Sequence, residues 1–311
     1  MINSTQGLFF ILDAYFDTGL LKYLYFIIVM FLYMLILCSN LLLIVVICVN
    51  RSLHEPMYMF LCSLFVNELY GSTGLFPLLL GQILSDIHTV SAAVCLLQTF
   101  CLYSYGGVEY LNLAIMSYDR YLAICYPLQY NMQMKSHKIA VLIALTWLYP
   151  LIVCICMIFM TSSLQLCGNI INKVYCVNYS VVKLACFDTS VINIYGLITS
   201  FGKILGALIF ICYTYIKILK VCLLGSKQTR QKAVSTCTPH LASVLNFSVG
   251  ASFEMLQSRF NMSGVPNMLR IFLSLYFFAC PPLFNPLMYG LNLSKIRVTC
   301  KNLIANVLRQ G

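Results

Sequence analysis

Apolar residues in this chain come in long runs, and most charged residues fall between the runs instead of alternating within them. A helix needs roughly 20 consecutive, mostly apolar residues to cross the hydrocarbon core of a bilayer. Seven segments meet that requirement: 24–49, 57–84, 92–124, 139–160, 191–219, 233–257 and 268–291. The pattern predicts an all-α membrane protein, a seven-transmembrane helix bundle in the lipid bilayer. Residues 1–23 read as a short outer tail. Residues 292–311, with Lys295, Arg297, Lys301 and Arg309 among apolar positions, read as a short amphipathic helix lying on the membrane surface. No internal repeat and no linker breaks the pattern, so 1–311 is expected to form a single domain.

Composition agrees. The chain is 61% hydrophobic and 9% charged, and so few charges cannot cover a water-soluble surface. Asp13 and Asp17 lie where a cleavable leader would need a basic start and a short apolar core, so the first span is expected to act as the targeting signal. The net charge of +10 would suit a nucleic-acid partner, but its distribution argues for topology instead. Arg51, Lys135, Lys138, Lys217, Lys220, Lys227, Arg230, Lys232 and the basic residues of 292–311 fall on one side of the spans. Only Lys22, Lys173, Lys183, Arg259 and Arg270 fall on the other. The first side is therefore cytoplasmic, the amino terminus is outside, and no nucleic acid is expected to bind. The four histidines, His54, His88, His137 and His240, show no metal-ligand spacing, and no serine or cysteine has a patterned base partner, so no enzyme is expected.

Polar groups deep in the spans carry the chemistry. Glu68 in the second span and Glu109 in the third must each be neutralised, paired or bound to a cation. Glu109 and Arg120 are eleven residues apart, about three turns, and share one inward face. Lys203 lies midway along the fifth span, where an ammonium is costly; it pairs with Glu254, contacts an anionic ligand or snorkels to water. Gly106 and Gly107 either let helices pack closely or leave room for a ligand, and packing is the more frequent use of glycine in membranes. Asn3-Ser4-Thr5 and Asn178-Tyr179-Ser180 are glycosylation acceptors on outer segments. Most of the sixteen cysteines lie in apolar runs as small hydrophobes, but Cys95, Cys167, Cys176 and Cys186 face the oxidising exterior. Three pairings of those four stay open on sequence alone.

The motifs resemble one family. Residues 116–125, MSYDRYLAIC, resemble the MAYDRYVAIC signature of odorant receptors, which are rhodopsin-like, seven-helix, G-protein-coupled receptors. Residues 53–61 match its LHxPMYxFL pattern, and 232–241, KAVSTCTPHL, resemble KAFSTCxSHL. Residues 281–289 resemble PPxxNPxxY, Trp147 matches the tryptophan of the fourth helix, and Cys212-Tyr213 stands where the family has Ser-Tyr in the fifth.

The resemblance implies disulfides Cys95–Cys176 and Cys167–Cys186, and it favours Asn3 as the glycosylated residue. It implies that Asp119, Arg120, Tyr121, Tyr213, His240, Asn285, Pro286 and Tyr289 serve activation, with the sixth helix moving outward to admit a heterotrimeric G protein of the stimulatory, olfactory type. Pro286 would kink its helix and free carbonyls for Asn285 or water. Related receptors hold sodium between the second and third helices. Glu68 stands where the family has Asp, so a sodium ion at Glu68 and Glu109, or protonated acids bonded to each other, are the two expectations. A small-molecule odorant pocket is expected in the outer half, from Leu102, Tyr103, Gly106, Gly107, Lys203, Phe247, Ser248, Ala251 and Arg259. Lys203 and Arg259 there would favour acidic or zwitterionic ligands. The implied location is the plasma membrane, in cilia of olfactory sensory neurons. Alternatives are a same-fold receptor for a metabolite or hormone and, against the motifs, an ion transporter or channel.

Overall fold

The computed structural model describes residues 9–15, 19–225, 227–259, 265, 267–293 and 295–299. In chain order the elements are β1 (Phe9–Leu12), α1 (Leu21–Val49), α2 (Pro56–Leu84), β2 (Thr89–Ser91), α3 (Ala92–Cys125), α4 (Tyr130–Gln133) and α5 (Ser136–Ser162). There follow β3 (Ile170–Ile171), α6 (Asn178–Val182), α7 (Ser190–Leu224), α8 (Lys227–Arg259) and α9 (Asn267–Asn292). Among the described residues, seven helices run 26 to 35 residues, and they are the seven spans the apolar pattern predicts. The main departures are at the cytoplasmic ends of α7 and α8, which continue through Lys220 and begin at Lys227. Lysine, arginine and glutamine are good helix formers, so the helices outrun the hydrocarbon.

Four of these helices, α1, α5, α7 and 269–292 of α9, are apolar enough to cross a membrane by composition alone. The others fall short because their polar residues face inward. The interior of α2 includes Asn67, Glu68 and Ser72; that of α3 includes Ser104, Glu109 and Asn112. On α8, His240 and Ser243 are buried. The bundle thus has an apolar outside and a partly polar inside, the reverse of a soluble helix bundle.

Proline positions show how that interior is wired. Pro286 has no N–H for the carbonyl of Pro282, one turn earlier in α9. Asn40 of α1 supplies the missing donor, its Nδ2 lying 2.9 Å from that carbonyl and 2.9 Å from the Ile36 carbonyl. The partner is therefore Asn40, not the Asn285 or water expected from sequence. Trp147 Nε1 donates to Ser63 Oγ at 3.0 Å and ties α5 to α2.

The face of the bundle expected to be extracellular carries a small sheet of order β2-β1-β3. β1 runs antiparallel to β2 (Phe10 opposite Val90) and parallel to β3 (Ile11 opposite Ile170). Residues 9–12 are therefore part of a cap and not a plain tail. Phe10 and Leu12 are buried while Phe9 and Ile11 are exposed, the period-two signature of a strand covering a core. Two disulfides, Cys95–Cys176 and Cys167–Cys186, hold the loop between α5 and α7. The first pins it to α3 and the second closes it on itself. Asn178 is buried, and Thr161 Oγ1 donates to its Oδ1 at 2.8 Å, so this triplet is not presented for glycosylation. Asn3 lies outside the described residues, as do Lys301 and Arg309 of the expected surface helix. Of that helix, 295–299 are helical, and Lys295 Nζ meets Glu55 Oε1 at 2.6 Å.

Candidate functional site

A cavity of about 1080 Å3, part of it open to solvent, occupies the outer half of the bundle. α3, α7, α8 and α9 form its walls, Met157 of α5 touches it, and 175–179 of the long loop roof it. Leu102, Tyr103, Gly106, Gly107, Lys203 and Ala251 line it, as the sequence leads one to expect. Phe247 and Ser248 do not. Phe247 is fully buried behind the wall, its ring 4.8 Å from Tyr110 and 5.0 Å from Phe277. Ser248 follows it on α8, turned about 100° further round the helix. The side chain of Arg259 lies outside the described part of the structure.

The paired glycines divide the two uses between them. A Cβ on Gly107 would stand 2.8 Å from Pro150 Cβ and 3.6 Å from Lys203 Nζ, so this glycine lets α5 close on α3. A Cβ on Gly106 would meet only Phe277, at 3.7 Å, so its hydrogen leaves space in the cavity.

Charge is distributed unevenly around the cavity. Glu254 of α8 is paired with Lys173 of the long loop, and both are largely buried. The expected Lys203–Glu254 pair does not form. Lys203 has no ion-pair or hydrogen-bond partner among the described residues, although it lines a mostly apolar space. Sequence reasoning missed Lys173 and Tyr175, because a long loop carries no periodicity that would place it over the bundle.

Below the cavity lies the acid pair. Asn285 Nδ2 donates to Glu68 Oε1 and, at 3.1 Å, to Glu109 Oε1. Asn67 Nδ2 donates to Glu109 Oε2 at 2.9 Å, and Tyr105 Oη donates to Glu68 Oε2 at 3.0 Å. Both acids are fully buried and within hydrogen-bonding reach of each other. Side chains from α2, α3 and α9 therefore meet at one point.

At the cytoplasmic end Arg120 bonds its neighbour Asp119 at 3.0 Å, and Tyr130 Oη donates to Asp119 Oδ1 at 2.6 Å. His240 of α8 reaches the Leu113 carbonyl with Nε2 at 2.8 Å and Tyr215 Oη with Nδ1 at 2.9 Å. A carbonyl only accepts, so Nε2 carries the proton and the Tyr215 hydroxyl donates to Nδ1. Tyr213, expected at this end from sequence, is 53% exposed and takes no part in the bridge; Tyr215 is the buried tyrosine of α7. Two residues turn a helix by about 200°, so the two cannot share a face. The signal was present: Tyr215 continues the buried row Ile211, Ile218, Cys222. Tyr289 is buried edge-on to Phe65, its hydroxyl unbonded among the described residues, while Tyr121 stacks edge-on with Tyr126.

One prediction follows from the His240 bridge. Tyr215→Phe is expected to cost about 1 kcal/mol, one neutral hydrogen bond. In a His240→Ala background it should cost almost nothing, since its acceptor is already gone. Thermal unfolding of the four purified proteins reads the cycle, and additive losses would show that the two side chains act separately.

Comparisons with known proteins converge. A family model described as olfactory receptor matches residues 29–307. Olfactory receptor 10A6 of Homo sapiens is 35% identical over 268 residues, covering 86% of this chain and 84% of that protein. Olfactory receptor 6E1 of Mus musculus is 33% identical over 299 residues, covering 96% and 95%. In fold, squid rhodopsin superposes with a TM-score of 0.74 over 94% of this chain and 88% of that one, at 19% identity.

Proposed function

Because the chain belongs to the olfactory receptor family, we propose that it binds a small odorant in the outer cavity and activates a stimulatory, olfactory-type G protein, raising cyclic AMP. Its place of work is then the plasma membrane of olfactory cilia. The observation that carries the ligand assignment is the unpartnered Lys203 ammonium in a cavity whose only other charge, Glu254, is already paired among the described residues. Burying a lone ammonium is expensive, and a ligand carboxylate removes that cost. The favoured odorant is therefore an acid with an apolar body, held by Lys203 and packed against Leu102, Tyr103 and Ala251. The zwitterionic class fits less well, because Lys173 already occupies Glu254.

Binding works by selection between two arrangements of the helices. A ligand spanning α3, α7 and α8 favours whichever arrangement tightens its contacts. The Tyr215–His240–Leu113 bridge joins those same helices toward the cytoplasmic side, where the Arg120–Asp119–Tyr130 cluster holds the end of α3 and the G protein would dock against Asp119, Arg120 and Tyr121.

The acid pair needs a neutralising partner, since two touching carboxylates do not both ionise unaided. Asn67 and Asn285 turn their amide nitrogens to the acids, and the oxygens a sodium ion would take besides the carboxylates are Asn67 Oδ1, Asn285 Oδ1 and Ser72 Oγ, all buried without partners among the described residues. Glu68 and Glu109 would hold the ion, and the ion would supply compensating charge. A proton shared by the acids is the rival. A higher Tm in sodium chloride than in choline chloride, lost in Glu68→Gln, would assign the ion; equal Tm values would assign the proton.

The test of the ligand reading is cyclic AMP production in cells co-expressing the chain with an olfactory-type G protein. The panel holds carboxylic acids, amino acids, amines and neutral odorants, run on wild type, Lys203→Met and Arg259→Ala. Lys203→Met should raise the half-maximal concentration for acids by roughly 10- to 100-fold, the worth of one charge-assisted hydrogen bond. Acid responses unchanged in Lys203→Met would sink the anchor.

A further inference from the structure

A second hollow, of about 1070 Å3 and open along one side, runs between α3, α5 and α7 on the outside of the bundle. It is lined by Ala114 of α3, which is buried, by Leu142, Leu145 and Tyr149 of α5 and by Phe210 of α7. Leu145, Tyr149 and Phe210 are exposed. On a membrane-spanning helix, exposed means facing acyl chains, so whatever fills this hollow is drawn from the bilayer. An apolar slot left empty would forfeit the dispersion contacts of its whole lining.

The hollow changes character at its cytoplasmic end. There Lys138, in the first turn of α5, donates from Nζ to Tyr118 Oη at 3.0 Å and stands 4.9 Å from that ring's centroid. None of the ion pairs among the described residues includes Lys138. An ammonium has three donors, and one is used here. An apolar trough ending in an incompletely satisfied cation, at the depth of the inner headgroups, complements a lipid with one chain to lay down and one negative charge to place. A neutral headgroup would leave that cation unmatched, and a sterol hydroxyl would meet it without charge.

We propose that α3, α5 and α7 hold an anionic phospholipid of the cytoplasmic leaflet, its headgroup on Lys138 and an acyl chain along the trough over Ala114. The site is separate from the odorant cavity, which lies on the inside of the bundle. It adjoins the coupling end, because Tyr118 precedes Asp119.

The experiment uses the full chain in phosphatidylcholine nanodiscs carrying a minor share of a photo-crosslinking lipid, either phosphatidylserine or phosphatidylcholine. Labelled peptides are quantified by mass spectrometry for wild type, Lys138→Gln and Leu145→Trp. The phosphatidylserine probe should label peptides of α3, α5 and α7 at the trough about fivefold more than the phosphatidylcholine probe, as one basic residue at an anionic surface implies. Lys138→Gln should erase that preference, and Leu145→Trp, which fills the trough from its exposed rim, should lower labelling by both probes. Equal labelling by the two probes in wild type, or a preference kept in Lys138→Gln, overturns the proposal. Displacement of the label by cholesterol but not by unlabelled phosphatidylserine also overturns it and gives the trough to a sterol. The two variants act at opposite parts of the site, so misfolding of one leaves the other decisive.

Discussion

Asn285→Ala is expected to destabilise the bundle by about 4 kcal/mol, the sum of two hydrogen bonds to acid groups at roughly 1.5–3 kcal/mol each. One amide nitrogen serves Glu68 on α2 and Glu109 on α3 from its place on α9. Both acids are fully enclosed, so the alanine variant removes an amide donor from each at a depth that water reaches only by opening the bundle. Losing a surface asparagine would cost no more than about 0.5 kcal/mol. Thermal unfolding of purified wild type and variant measures the loss. A Tm within about a degree of wild type would show that the acids are satisfied without this amide. A companion variant sharpens the reading. Glu68→Asp removes a methylene, and the shorter arm cannot reach both Tyr105 and Asn285, so it should lose part of the same stability. If Glu68→Asp is neutral, the longer side chain is a tolerated variation and not a fitted part of the network.

That network marks the boundary of what the sequence makes legible. Long apolar runs place seven helices, because the bilayer imposes length on any chain that crosses it. They also flag Glu68, Glu109 and Lys203, since a charge inside hydrocarbon is conspicuous wherever it sits. Partners are another matter. Lys203 and Glu254 look like a pair because both lie in spans near the same depth, yet Glu254 takes Lys173 from a loop with no helical period to place it. Asn40 completes the carbonyl freed by Pro286 across 242 residues of chain, which no local pattern encodes. Tyr213 and Tyr215 show the finer failure. The motif match points to the tyrosine beside Cys212, while the helical period points to the one that is buried, in the row Ile211, Tyr215, Ile218. The strand at Phe9–Leu12 went unread because four residues of alternating burial are invisible until β2 and β3 are there to pair with them.

Breaking the bridge between α3 and the long loop should have the largest single effect. Cys95→Ser and Cys176→Ser are each expected to cost up to about 4.5 kcal/mol, the chain-entropy value for a closed loop of 81 residues. The figure is an upper value, since the helices between the two cysteines remain helical in lipid even when the bundle loosens. The consequence reaches the cavity. Tyr175, Cys176 and Val177 roof it, and Lys173, which holds Glu254, is only three residues away along the loop. Freed from α3, the loop would keep its internal Cys167–Cys186 bond yet lose the anchor that sets its height over the bundle. Surface expression and thermal stability should therefore fall equally in the two single variants and no further in the double variant, because a bond once broken cannot be broken again. Cys167→Ser removes a loop of 19 residues' separation and should cost less, about 3 kcal/mol, while leaving the roof tied to α3. Unequal single variants, or a double variant clearly worse than either, would mean that the two sulfurs act apart. In that case the roof over Lys203 would be held by the ion pair, the sheet and the hydrogen bonds of Cys176 N to Gln98 Oε1 and of Tyr15 Oη to the Val174 carbonyl.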